Sequence, residues 1–282
     1  MSAEFLQEVV VCIGQPLDAN PLQFMMERAF QAAKLDWRYL MLEVAPEDLE
    51  DAVRGIRALG FAGATVTTPH KVAVISHLSE LTEAAELMGA VNCIFRKEDQ
   101  LIGDNANGAG FLEALKEKAD PAEQRVLLLG AGGMARSIAV ELALAGAGHI
   151  CVADRDEEKA GDLATLLGDR LHVDSQTLPL TSGLAVPEET NIVVNATPVG
   201  FGDPDAKPLI KTKTLVESTV VADVTFHPAD TRLIREAADL GCTTVTGPEA
   251  LLNQAIKCFR TWTSREPDRD IMREAIDEFF GI

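Results

Sequence analysis

Four short polar segments carry residue types able to do chemistry. They are Thr65-Val66-Thr67-Thr68-Pro69-His70-Lys71, Gly89-Ala90-Val91-Asn92, Gly103-Asp104-Asn105-Ala106-Asn107-Gly108-Ala109-Gly110-Phe111 and Asn195-Ala196-Thr197-Pro198-Val199-Gly200. Lys71 stands just beyond an expected parallel strand, the edge at which open α/β sheets place ligands. A lysine taken alone is more often a solvated surface charge, so its company decides the reading. An amine set among hydroxyls and amides is suited to exchanging a proton with a substrate hydroxyl. His70 and His149 read as packing residues. No His, Asp and Glu cluster has the spacing of a metal site.

A second chemistry is written at Arg125–Leu129, an apolar strand that runs straight into Gly130-Ala131-Gly132-Gly133-Met134-Ala135 and a helix. Gly130 permits a tight turn, Gly132 lets the backbone approach a pyrophosphate, and Ala135 replaces the third glycine at the helix–strand contact. Free N–H groups at the helix start supply the anion site. The next strand ends at Asp154, 24 positions after Gly130, where a ribose-binding acid is expected. The competing reading, a glycine turn that merely packs, explains neither flank. Arg155 is suited to a 2′-phosphate, but Asp154, Asp156, Glu157 and Glu158 surround it. NAD is therefore the expected cofactor, with NADP the alternative.

The elements that must position these groups alternate along the chain. Strands are expected at 9–13, 39–44 and 64–68, helices at 24–35, 46–59 and 78–88, and a small hairpin at 90–103. This order implies a parallel sheet with helices on its faces. A second α/β block has strands at 125–129, 149–153, 192–195, 220–224 and 243–245, with helices at 110–119, 134–145, 157–167 and 231–240. From Pro248 onward the chain reads as helix. The fold class is α/β, with domains at 1–103, completed by helices 248–282, and at 104–247.

Composition narrows the partners. The 282 residues hold 25 Lys and Arg against 44 Asp and Glu, a net charge of −19. Such a surface repels phosphate backbones and anionic lipid, which argues against nucleic-acid and membrane partners. Five cysteines without a CxxC pair, most in apolar runs, suggest a reducing compartment without disulfides. A cytoplasmic monomer or homodimer acting on a small molecule is the expectation.

Taken together, the segments resemble the shikimate dehydrogenase family, which includes quinate/shikimate dehydrogenases. The family's Asn-Val-Thr-x-Pro-His-Lys reads here as Thr65–Lys71, Gly-Ala-Val-Asn-Thr as Gly89–Cys93, and Asn-Thr-Asp-Gly-x-Gly-Phe as Asn105–Phe111. The glycine loop matches at Gly130–Arg136, Asn-Ala-Thr-Pro-x-Gly at Asn195–Gly200, and the terminal Leu-x-x-Gln-Ala at Leu251–Ala255. The resemblance implies a substrate domain from the N-terminal half and the last helices, a Rossmann domain between them, and a substrate in the cleft. It implies hydride transfer between a nicotinamide dinucleotide and a ring hydroxyl of shikimate, quinate or a related cyclic hydroxy acid. Lys71 maps onto the catalytic lysine, and Thr67, Asn92 and Gln254 onto substrate-hydroxyl contacts. Asn195, Ala196 and Thr197 join Gly130–Ala135, Asp154 and Arg155 in holding the cofactor.

Three positions depart from the family pattern. The catalytic aspartate is Asn107, which orients a hydroxyl but carries no charge; Asp104 is the candidate stand-in. The serines that bind the substrate carboxylate are Asn20 and Leu22, and the family tyrosine is Phe226. The scaffold and cofactor loop are kept while the substrate pocket is rewritten. Two hypotheses follow: an active dehydrogenase of this type, favoured by the joint retention of Lys71, Thr67, Asn92 and Gln254, or a silent paralogue that binds nucleotide or small ligand, favoured by Asn107 and the lost serines.

Overall fold

Glu8–Gly14 forms β1, whose Val10–Ile13 are buried on both faces, as expected of a strand covered by helices. It leads through α1 (Leu22–Ala32) to β2 (Trp37–Glu43), then through a 3₁₀ turn at Pro46–Asp48 into α2 (Leu49–Ala58). β3 (Gly63–Val66), a 3₁₀ segment at Ala73–His77, β4 (Glu80–Leu81), α3 (Glu83–Met88), β5 (Cys93–Lys97) and β6 (Gln100–Asp104) complete this half. The computed structural model describes residues 6–17 and 20–281. Its strands stand in the order β2-β1-β3-β5-β6-β4.

Two expectations change here. The sheet is mixed: β1 runs parallel to β2 and β3, but the β5–β6 hairpin, turned at Glu98 with φ 56°, lies antiparallel to β3. The helix read over 78–88 is shorter. Leu78 ends the 3₁₀ segment, Glu80–Leu81 pairs with β6, and α3 starts only where the Thr82 hydroxyl accepts the Ala85 N–H. The apolar residues at 78 and 81 serve a strand and a turn packed on the same core as the helix, so their spacing mimicked one long helix.

The second half begins with α4 (Asn107–Lys116) and continues as β7 (Arg125–Leu129), α5 (Gly133–Leu144), β8 (His149–Asp154), α6 (Glu157–Leu171) and β9 (Asp174–Pro179). It then runs through β10 (Ile192–Asn195), β11 (Val220–Asp223), α7 (Arg232–Asp239) and β12 (Thr243–Val245). Its sheet is parallel throughout, in the order β12-β11-β10-β7-β8-β9. β9 was not foreseen. Asp-Ser-Gln-Thr-Leu-Pro has no buried residue, and as an edge strand it needs no apolar alternation. The order reverses between β7 and β10, the switch point at which doubly wound sheets receive ligands beyond their carboxyl ends.

Two helices close the chain, α8 (Gly247–Thr263) and α9 (Arg269–Phe280). The chain divides into two compact units, residues 1–106 with 254–282, and residues 107–253. Within the first unit, Trp262 of α8 donates to the Ile94 carbonyl at 2.9 Å, and Phe259 stacks on Phe30 with ring centres 5.5 Å apart. Gly63 leaves room for Trp262, because a Cβ there would meet the Ile94 carbonyl oxygen and the indole.

Candidate active site

In the second unit the turn after β7 depends on missing side chains. Gly130 has φ +106° and a Cβ there would stand 3.1 Å from the Ala196 carbonyl, so no other residue fits without strain. A Cβ on Gly132 or Gly133 would meet nothing within 4 Å. That open space adjoins the start of α5, a helix that no side chain caps, so its first N–H groups are the donor set suited to a pyrophosphate. Ala135 is fully buried against the sheet, and Met134 packs at the edge of the same core.

A cavity of about 260 Å³ opens beside this turn, lined in part by Gly130, Gly132, Asp154, Arg155, Lys159 and Thr197. The Asp154 carboxylate accepts the Ala131 N–H at 2.6 Å and the Asp156 N–H at 2.9 Å, tying the glycine loop to the end of β8. Asp156 caps α6 by accepting the Lys159 N–H, and its carboxylate lies 2.9 Å from the Lys159 ammonium. The sequence reading missed Lys159. Its signal was a second cation four residues after Arg155, in the first turn of the helix that follows the acid.

Asn195 is spent on structure. Its amide donates to the Val199 carbonyl and to Asp223, both at 3.1 Å, while its oxygen accepts from the Thr197 N–H and hydroxyl. Ala196 and Thr197, held by this lock, line the cavity themselves. Burial pushes the Asp223 carboxyl up, opposed by the Thr225 N–H and the Thr231 and Asn195 side chains. Phe226 lies edge-on to Phe201 at 5.4 Å.

In the first unit, the carboxyl ends of β1, β2 and β3 are laced together. Thr67 N donates to Ile13 O, Gln15 N to Thr68 O and Val44 N to Gly14 O. A Cβ on Gly14 would collide with the Thr67 methyl, so glycine sets how closely these ends approach. His70 is buried and its Nε2 lies 2.7 Å from the Val44 carbonyl, the structural part expected of it. This anchor projects the next residue, Lys71, which is half-buried and whose carbonyl accepts the Val91 N–H at 2.8 Å. Desolvation pushes the Lys71 ammonium below the usual lysine range, and Cys12 acts in the opposite sense. Among the described residues Lys71 forms no ion pair.

Asp104 is not the partner of Lys71. Its carboxylate accepts the Thr82 hydroxyl at 2.7 Å and pairs with Lys257 of α8 at 3.1 Å, and Lys257 also donates to the Asn105 carbonyl. Asn92 is buried, its oxygen accepting the Ala106 N–H at 2.6 Å. Thr67 and Gln254 are half-buried. Asn107 is buried as the first residue of α4, in the second unit. Asn20 turns its oxygen onto the Leu22 N–H at 3.0 Å and its amide toward the Cys12 sulfur at 4.0 Å, while Leu22 is buried in α1. Neither supplies the hydroxyl that a serine would. No group of three or more His, Cys, Asp or Glu among the described residues is placed to hold a metal ion, and no described helix is long and apolar enough to cross a membrane.

A parallel sheet with a pyrophosphate turn at its switch point, joined in one chain to a unit that presents a desolvated lysine at a strand end, defines a nicotinamide-dinucleotide-dependent oxidoreductase. The models for the shikimate dehydrogenase substrate binding domain and for shikimate/quinate 5-dehydrogenase match residues 12–94 and 113–219. Shikimate dehydrogenase (NADP(+)) of Methanopyrus kandleri is 37% identical over 99% of this chain and 98% of its own. Ligand-free 5-ketofructose reductase of Gluconobacter sp. strain CHM43 superposes with a TM-score of 0.95 at 41% identity, covering 98% of this chain and 100% of its own. Quinate dehydrogenase from Corynebacterium glutamicum in complex with NAD gives 0.89 at 29% identity, with 96% and 99% covered. The chain belongs to the shikimate dehydrogenase family.

Proposed function

We propose that this chain interconverts a ketone and a secondary alcohol on a polyhydroxylated substrate that carries no carboxylate, a keto-sugar, using NADP(H). One observation carries the reading: where the resemblance places two carboxylate-binding serines, Asn20 has its side chain directed at Leu22 and Cys12, and Leu22 is buried in apolar packing. A carboxylate set there would lose water without gaining donors, at a cost of roughly 1–3 kcal/mol for each unmet group. The likeness to the Gluconobacter 5-ketofructose reductase supports the same substrate class, because a keto-sugar offers hydroxyls and no carboxylate. Shikimate-type cyclic hydroxy acids remain the second reading, favoured by the joint presence of Thr67, Asn92 and Gln254.

Lys71 is the acid in ketone reduction, delivering a proton to the oxygen as it becomes an alkoxide and taking it back in alcohol oxidation. Thr67 and Gln254, in the same unit as Lys71, contact substrate hydroxyls. The bound nicotinamide supplies or accepts the hydride. For the cofactor, Arg155 and Lys159 line the cavity beside Gly130 and would hold a 2′-phosphate, while Asp154 already accepts two backbone N–H groups. This supports NADP(H) over the NAD first expected from Asp154, and the NADP(+) in the name of the Methanopyrus relative favours it too.

The test is a steady-state screen of 5-ketofructose, fructose, 3-dehydroshikimate, shikimate and quinate with NADPH, NADH and their oxidised forms, followed at the reduced-cofactor absorbance. The highest kcat/KM should fall on a keto-sugar with NADPH. A higher value for 3-dehydroshikimate or shikimate overturns the substrate assignment. No turnover at all, in protein that binds dinucleotide, hands the case to the silent-binder hypothesis.

A further inference from the structure

The loops that follow β10 and β11 are built as one piece. Asn195 at the end of β10 donates to Asp223 at the end of β11, which also accepts the Thr231 hydroxyl at 2.8 Å and the Thr225 N–H at 3.0 Å. The Gly202 N–H donates to the His227 carbonyl at 2.9 Å and stitches the two loops farther out. Phe201 stands between Gly200 and Gly202, whose φ angles of +103° and +72° suit glycine and set the course of the chain on either side of it. Its ring lies 5.4 Å from that of Phe226, inclined at 75°, a favoured aromatic arrangement, yet Phe201 remains 52% exposed. Three other large apolar side chains of this unit are exposed. Leu144 ends α5, Leu240 follows α7 and Val216 precedes β11, so all three lie at the amino edge of the sheet, away from where ligands bind. Among the described residues of this unit, Phe201 is the large apolar side chain exposed at the carboxyl edge.

We infer that Phe201 is a cofactor-binding residue, the apolar surface that receives the nicotinamide ring. The strand order gives the direction. β8 ends at Asp154 beside Arg155 and the cavity, and β7 ends at the glycine turn, so the adenosine end and the pyrophosphate belong at the carboxyl ends of these two strands. β10 and β11 follow on the other side of β7, and the far end of an extended dinucleotide falls on the loops after them. Ala196, Thr197, Pro198 and Val199 already line the cavity, and Phe201 comes two residues later in the same loop. A planar ring laid against Phe201 removes apolar surface of both from water, and the contact with Phe226 holds the phenyl ring ready for it. This role rests on the dinucleotide site of the same unit.

The experiment titrates wild type, Phe201→Ala, Phe201→Leu and Phe201→Tyr by calorimetry with NADPH, NADH, ADP-ribose and 2′-phospho-ADP-ribose. Each ADP-ribose probe lacks only the nicotinamide of its dinucleotide. In Phe201→Ala the Kd of the dinucleotide that wild type prefers should rise about tenfold, while the Kd of the matching ADP-ribose probe stays put. Phe201→Tyr should bind as wild type does, and Phe201→Leu, which keeps apolar volume without a planar ring, should fall between. A dinucleotide Kd unmoved in Phe201→Ala overturns the inference. So does an equal loss for dinucleotide and ADP-ribose probe, which would make Phe201 a support of its loop. The contrast between Phe201→Leu and Phe201→Tyr keeps the test intact if Phe201→Ala unfolds. Wild type that binds none of the probes removes the dinucleotide site itself, whereas wild type that binds them all, with Phe201→Ala indifferent, removes only the role of Phe201.

Discussion

The turn after β7 and the segment after β1 both lead from a buried strand into a helix, yet they differ in what they tolerate. Around Gly130 the requirements are backbone and empty space: a φ of +106°, a neighbour 3.1 Å from any added Cβ, and open volume over Gly132 and Gly133. A phosphate bound there would be held by backbone N–H groups, so a side chain would be in its way. After β1, recognition falls to side chains. Asn20 can bond to Leu22 and Leu22 can sink into α1 without disturbing the lacing of Gly14, Gln15, Thr67 and Thr68. A pocket read by side chains can be rewritten on a fixed backbone, and a pocket read by the backbone cannot.

The largest expected effect is on the chemistry itself. Lys71→Ala should lower kcat by about 10²–10⁴, the usual loss for a positioned acid, with dinucleotide Kd unchanged because the glycine turn lies in the other unit. Stopped-flow reduction at saturating NADPH checks it, and a lowered dinucleotide affinity would break the separation of the two regions.

Next come the glycines. Gly130→Ala should cost about 1–3 kcal/mol of stability through its forbidden φ, read as a fall in Tm. Gly132→Ala should leave Tm in place, since its Cβ enters open space, yet weaken dinucleotide binding measured by calorimetry. Equal Tm losses in both would mean that the open volume is structural.

Arg155→Ala should raise the NADPH Kd about tenfold, or about 1.4 kcal/mol, and leave NADH unaffected. Parallel titrations decide it; an equal loss for both dinucleotides would place Arg155 away from the 2′-phosphate. The smallest effect is a partial restoration of the other region. Asn20→Ser with Leu22→Ser should lower the shikimate KM about threefold, the worth of a single net hydrogen bond. The double variant will also melt earlier, since Leu22 is buried. An unchanged KM in folded protein would show that carboxylate recognition does not depend on these two positions.

Much of this was legible in residues alone. Arg125–Leu129, Ile192–Asn195 and Thr243–Val245 are strands at the bounds expected, because each is a short apolar run bracketed by breakers. The edge strand β9 was not, because an edge next to solvent imposes no pattern on Ser175, Gln176 and Thr177. The direction of β5 was likewise hidden, since a hairpin turn fixes the direction of a strand relative to its partner but not which strand lies on its other side.

The glycine turn, the acid at the end of β8, the lysine past β3 and the absence of serines at positions 20 and 22 are visible in the chain alone, because each is a statement about residue type at a spacing. Which group partners which came from the folded molecule. It assigned Asp104 to Lys257 and Thr82, and Asn195 to the turn it braces. Those pairings join positions up to 153 residues apart in the chain, brought together by strand register and helix packing, and no local pattern of residue types encodes which buried polar group will meet which.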